Sequence, residues 1–250
     1  MSSERPRLRD STQHRLRTPD ASLYPIGQFP NSLLTSIGRQ LVRHMALGIE
    51  DVSGGDFGDI FATAVGGEHR DSPLGVADVV RGRCAWSVKT VKSSRPFDQR
   101  TVRLISGRNS PDYSAGIQNP HDDPTLTGAA VLNIWNTRVD FAQAEYIDLR
   151  IAVLIRNIQR REFSIFEEEA SRFSPGDYWF TFNSNGNLEG HDRVTGDHHF
   201  TWQPHGSQFT VFRHVPGSAR RFTIERTVPV ISENAVLGAI GYEDSWIGIH

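Results

Sequence analysis

The chain has 250 residues, 37 % of them hydrophobic and 22 % charged, with a formal net charge of −2. That is enough apolar material for one sizeable core, and the near-neutral balance excludes a protein that holds polyanions with its whole surface. One cysteine, Cys84, excludes an internal disulfide framework and a multi-cysteine zinc site, and no apolar run approaches the ~18 residues of a membrane span. The amino-terminal segment carries arginines without a hydrophobic stretch, so no secretory signal is read there and a cytoplasmic location is expected.

Residues 1–22 place Arg5, Arg7, Arg9, Arg15 and Arg17 among Ser, Thr, Pro and Asp, and read as a flexible basic arm. Leu33, Leu34, Ile37, Leu41, Met45 and Ile49 recur at helical spacing behind an N-cap at Asn31-Ser32, which predicts an amphipathic helix ending near Gly48. Gly54-Gly55-Asp56-Phe57-Gly58-Asp59 reads as a turn-rich break, and Ile60-Phe61-Ala62-Thr63-Ala64-Val65 as a first strand closed by Gly66-Gly67. Leu74-Gly75-Val76-Ala77-Asp78-Val79-Val80 predicts a second strand, Arg81-Gly82-Arg83 a tight turn, and the run from Cys84 to Lys92 a third strand.

Residues 93–127 are rich in Ser, Pro, Asn, Asp and Gly around a short apolar piece at Val102-Arg103-Leu104-Ile105, and predict a long functional or mobile loop. Val131, Leu132, Trp135, Val139 and Ala142 give residues 128–146 a helical stripe. Leu149-Arg150-Ile151-Ala152-Val153-Leu154-Ile155 reads as a buried strand, and Glu162-Phe163-Ser164-Ile165-Phe166-Glu167 alternates as its hairpin partner. Short strands are expected beyond Phe173 at 178–182, 199–202, 208–214 and 221–225. The expected division is an arm at 1–22, a core at 23–173, and a β-rich extension at 174–250, packed on the core and able to contact DNA. The fold class is α/β, a mixed central sheet flanked by helices with a β-rich carboxy-terminal extension.

Only two lysines occur, Lys89 and Lys92, both in the third strand; apart from histidine, every other basic residue is arginine. Lysine is a compact ammonium that can take part in proton chemistry, which a permanently charged guanidinium cannot. Strand alternation puts Ser87 and Lys89 on one face, and Val88 and Lys92 on the other. Asp78, on the neighbouring strand, needs a partner to sit in an apolar run. A plain salt bridge to Lys89 would serve, and so would a divalent metal.

Leu74-Gly75-Val76-Ala77-Asp78 followed by Ser87-Val88-Lys89 resembles the PD-(D/E)xK nuclease superfamily, which includes most type II restriction endonucleases. The order of elements over about residues 32–168 is similar to that family's core. Ala77 stands where the motif has proline, and Ser87 where it has a second metal-binding carboxylate. The resemblance implies a restriction-endonuclease-like core and Mg²⁺-dependent, sequence-specific cleavage of double-stranded DNA. By the same resemblance Asp78 would bind the metal, the Val88 carbonyl would add a ligand, and Lys89 would act on the attacking water beside Ser87. The missing carboxylate would come from Glu50, at the end of the first helix, or from Asp98 as its rival. A homodimer and a cognate DNA methyltransferase as genetic companion are further implications, and no membrane association is expected.

Arg103, Arg108 and Asn109 follow the third strand, and Gln203 and Gln208 flank a polar turn; all five are candidates for base or backbone contacts, with Lys92 touching phosphate. His191, His198, His199 and His205 lack metal-ligand spacing and read as histidines of hairpin turns. Glu167-Glu168-Glu169 reads as a solvated charge run without a role. Two other functions fit the same residues: a non-catalytic DNA-binding protein on a degenerate nuclease fold, and a repair or structure-specific nuclease.

Overall fold

A computed structural model describes residues 23–70 and 75–249. The arm expected at 1–22 and Leu74 lie outside the described residues. Helix α1 spans Asn31–Ala46 and α2 spans Gly54–Val65. Asn31 is already helical, with Pro30 rather than a side-chain acceptor at the cap. The strand expected at 60–65 is instead the second half of α2. Ser53 Oγ accepts from the Asp56 N–H at 3.2 Å while Asp56 accepts from the Ser53 N–H at 2.7 Å, a reciprocal capping box that starts the helix before the apolar residues begin. Phe57, Ile60, Phe61 and Val65 then recur at helical spacing and are buried.

Strands β1 (Glu68–His69), β2 (Val79–Arg81) and β3 (Cys84–Lys92) follow. After β4 (Thr101–Arg108) come a short helix α3 (Pro111–Ala115) and the long helix α4 (Pro124–Glu145). Strands β5 (Asp148–Asn157), β6 (Glu162–Glu169), β7 (Tyr178–Phe182), β8 (Leu188–Asp192), β9 (His198–Gln203), β10 (Gln208–His214) and β11 (Arg220–Thr223) complete the sheets, and α5 (Glu233–Ala239) follows them. One sheet has the order β1-β2-β3-β5-β6-β11, with β3 and β5 parallel and every other neighbour antiparallel. The second has the order β4-β10-β9-β8-β7 and is antiparallel throughout.

Sequence order and sheet membership therefore part company at residue 173. Strand β4, which falls in the segment expected to be a loop, pairs with β10 of the extension, and β11 of the extension pairs back onto β6. Strand β5 is buried on both sides, which explains its unbroken apolar run. One face of the first sheet packs on α1 and α2, joining Trp86, Val88, Ala152, Leu154 and Phe163 to Ile37, Leu41, Phe57 and Phe61. The other face packs on α4 and the second sheet, through Ala85, Ile151, Val153, Ile155 and Phe166.

A charged cluster crosses the first sheet. Arg150 is 1 % exposed and donates to Glu167 Oε1 at 2.7 Å, to Asp148 Oδ1 at 2.7 Å and to the Tyr24 carbonyl at 3.0 Å. Glu167 also accepts from the Gly27 N–H at 3.0 Å, the Tyr24 hydroxyl at 3.1 Å and the Trp86 indole at 3.3 Å. The charge run expected to be solvated is thus broken at its first member. Burial pushes the Glu167 carboxyl up, with the Arg150 charge opposing it. Burial alone would lower the guanidinium of Arg150, but Asp148 and Glu167 more than reverse that. Arg150→Met should strand Glu167 without its charge partner and cost about 3–5 kcal/mol of stability in urea denaturation, and Arg150→Met/Glu167→Leu should recover little of it, because Leu also orphans the Gly27, Tyr24 and Trp86 donors.

Candidate active site on the β2–β3 hairpin

The hairpin turn has two residues, Gly82 and Arg83, one fewer than expected, and Gly82 supplies the positive φ (56°) that so tight a connection needs. It sets Val79 opposite Trp86 and Val80 opposite Ala85. The Asp78 N–H then donates to the Trp86 carbonyl at 2.8 Å, which carries the ladder one step further and brings the Asp78 side chain beside Ser87. Beyond that point the Val88 N–H has no β2 carbonyl to meet. The Asp78 carboxylate takes its place, Oδ2 accepting from Val88 N at 3.0 Å.

The same oxygen lies 3.1 Å from Ser87 Oγ and 3.3 Å from Lys89 Nζ. Ser87 Oγ is also 3.3 Å from the Gly75 carbonyl, and its single proton serves one acceptor at a time. Ser87 is 1 % exposed, but the Asp78 and Lys89 side chains keep 19 % and 21 % of their surface. A carboxylate and an ammonium thus meet solvent together at a fixed spacing, on the face of the sheet that carries Ile151 and Val153. Asp78 Oδ1 makes no hydrogen bond among the described residues.

The other expected site residues are not gathered here. Lys92 faces the α1–α2 side, where its Nζ is 3.5 Å from Asp51. Asp51 is also held by Arg156 at 2.8 and 3.2 Å. Burial alone would raise the Asp51 carboxyl, but these bonds, the Val52 N–H and the Lys92 charge bring it below the usual carboxylate range. Glu50 is exposed and makes no hydrogen bond or ion pair among the described residues. Asp98 is exposed and lies 3.9 Å from Arg95. Neither Glu50 nor Asp98 bonds to Asp78, and among the described residues no three His, Cys, Asp or Glu side chains are grouped to hold a metal ion.

The DNA-contact candidates divide. Asn109 is fully buried; its Nδ2 donates to the Val131 carbonyl at 2.7 Å and its own carbonyl accepts from the Trp202 indole at 2.7 Å. It ties α4 to the second sheet and is inaccessible to a base. Arg103 and Arg108 are exposed on β4, while Gln203 and Gln208 pair across β9 and β10, all on the sheet that does not bear Asp78. His191, His198 and His199 lie within strands rather than turns, whereas His205 sits in the short 3-10 turn between β9 and β10. Trp179, His191, His198 and Phe212 form a ladder of rings across β7 to β10, with centroids 4.2, 4.9 and 4.3 Å apart.

No protein-family model matches this sequence, and no curated protein or solved structure matches it. The chain is a mixed α/β protein with two sheets flanked by helices, and no described helix is long and apolar enough to cross a membrane. Replacing Asp78 by Ala should leave the Val88 N–H short of an acceptor, with Ser87 Oγ still able to turn to the Gly75 carbonyl, and cost about 1–3 kcal/mol in chemical denaturation. Ser87→Ala, which leaves the carboxylate its other two donors, should cost about 1 kcal/mol or less.

Proposed function

We propose that this protein is a Mg²⁺-dependent endonuclease of double-stranded DNA, acting as a type II restriction enzyme. The observation that carries the reading is the Asp78–Lys89 pair, set 3.3 Å apart on adjacent strands by hairpin register and open to solvent. The surrounding order supports it: helices, a three-strand meander, then, after β4 of the second sheet, helices α3 and α4 and a strand parallel to β3.

Mg²⁺ takes oxygen ligands, keeps several waters, and is commonly held by one or two carboxylates plus substrate phosphate. Among the described residues Asp78 fits that pattern as the single carboxylate, with Oδ1 free of hydrogen bonds, in a site that the DNA phosphate would complete. Once bound, the ion would polarise the phosphoryl group and lower the pKa of a coordinated water. Lys89, as an ammonium, would orient the attacking water and neutralise charge developing on the phosphoryl oxygens, while the water's proton would pass to solvent or to a phosphate oxygen. Val88 N–H and Ser87 hold the carboxylate in place, so its orientation does not depend on Lys89 alone. Two copies would match the two-fold symmetry of a palindromic site, and a methyltransferase of the same specificity would protect host DNA in the cytoplasm.

Ser87 favours a second reading. It sits where a further carboxylate would strengthen metal binding, and no acidic group replaces it among the described residues. A non-catalytic DNA-binding protein would tolerate that substitution. A digest of phage DNA by the purified protein with Mg²⁺, beside an EDTA control, separates the readings. Discrete fragments are the expected result. A smear or isolated nicks would indicate a structure-specific or repair nuclease, and DNA that is bound but uncut would indicate the non-catalytic role.

A further inference from the structure

A cleft of about 720 Å³ opens where the β3–β4 connection meets the β10–β11 connection. Arg95, Arg100, Arg221 and His214 line it, against one carboxylate, Asp98. All four basic residues are exposed. Arg95 is 3.9 Å from Asp98, whereas Arg100, Arg221 and His214 make no ion pair among the described residues. The seam between the two connections is closed by the Val215 N–H donating to the Arg100 carbonyl at 2.8 Å, which fixes the cleft's opposing walls. Like charges brought together without counter-charges favour an anionic ligand, and guanidinium groups match phosphate oxygens in pairs.

Its placement connects the cleft with Lys89. Arg221 lies opposite Ser164, Ser164 opposite Ile155, and Ile155 beside Val91. Val91 is two residues beyond Lys89, so all of these side chains share one face of the first sheet. Strand β3 runs from Lys89 toward the cleft and ends at Lys92, three residues before Arg95, so at about 3.3 Å per residue the two lie at most roughly 20 Å apart. That limit corresponds to at most about six base pairs of duplex. The net charge of −2 means that attraction for a polyanion has to be local, and this cleft is a local excess of arginine.

We propose that the cleft binds the phosphodiester backbone of the nucleic acid whose scissile bond lies at the Asp78–Lys89 site, several nucleotides away from that bond. The inference rests on the nuclease reading above. Two or more phosphates would sit between the connections, with Arg100 and Arg221 gripping from opposite walls.

The test is the affinity for a duplex of about 30 base pairs, measured by fluorescence anisotropy in EDTA over a range of salt. Wild type is compared with Arg100→Ala/Arg221→Ala and with Arg39→Ala/Arg43→Ala, which removes equal charge from exposed positions on α1, on the opposite side of the first sheet. Neither Arg100 nor Arg221 donates a side-chain hydrogen bond among the described residues, and thermal melting checks that all three proteins are folded. The cleft variant should lower the slope of log K against log salt by about two units and weaken binding by about tenfold or more, with the α1 variant near wild type. Equal slopes and affinities in all three proteins would overturn the inference, and would leave the nuclease reading intact if the wild type still cuts DNA with Mg²⁺. A wild type that neither binds nor cuts DNA would overturn both.

Discussion

A two-residue turn at Gly82 and Arg83 sets β2 against β3, and the position of every group at the site follows from that register. With Val79 opposite Trp86, the next step brings Asp78 to Ser87 and within reach of Lys89. A slip of one residue would turn the Asp78 side chain toward the α1–α2 core, away from both partners. Strand β3 is fixed on its other edge as well, because it pairs in parallel with β5 along its whole length. The face that presents Ser87 and Lys89 is thus set from two sides, by a tight turn and by a buried neighbour.

The sheet carries two charge clusters with different physical characters. Around Arg150 and Glu167 the groups are dry and each has several partners, joining the segment at Tyr24 and Gly27 to β3, β5 and β6. Such a network rigidifies a core and gains little from any further ligand. At Asp78 and Lys89 the pair is partly wet, and one carboxylate oxygen has no hydrogen-bond partner among the described residues. Coulomb attraction between charges that still meet solvent contributes modestly to stability, so the pair is poorly explained as a staple. Its geometry suits a group that must stay charged, accessible and held at a set angle.

Much of this was legible in the chain. Periodicity located α1, α4, β3, β5 and β6, because each has a long stripe or apolar run. Helix α2 was obscured by Gly54-Gly55, although Ser53 and Asp56 at capping-box spacing were the available signal. Phe163, Ile165 and Glu167 share a strand face, so the alternation already pointed Glu167 inward, toward an Arg150 set between Leu149 and Ile151 in an apolar run. Asn109 could not be read in the same way: its partners, Val131 and Trp202, are distant in the chain and meet only when α4 packs on the second sheet. The crossing of β4 and β11 between sheets was hidden for a similar reason, since a strand's own pattern shows which face is buried and not which neighbour it pairs with. Asp78 and Lys89 were visible together because a hairpin is local, whereas a second carboxylate, if supplied from afar, has no local signature.

The central claim is that Asp78 and Lys89 act on a phosphodiester bond, and single-turnover cleavage of DNA with Mg²⁺ by wild type, Lys89→Ala and Asp78→Asn tests it most directly. DNA affinity is measured on the same three proteins in EDTA. The account predicts cleavage by the wild type, a loss of about 10²-fold or more in rate for each variant, and affinities within a few-fold of one another. Wild-type cleavage that persists at full rate in Lys89→Ala would contradict it, as would a well-folded wild type that binds DNA and never cuts it.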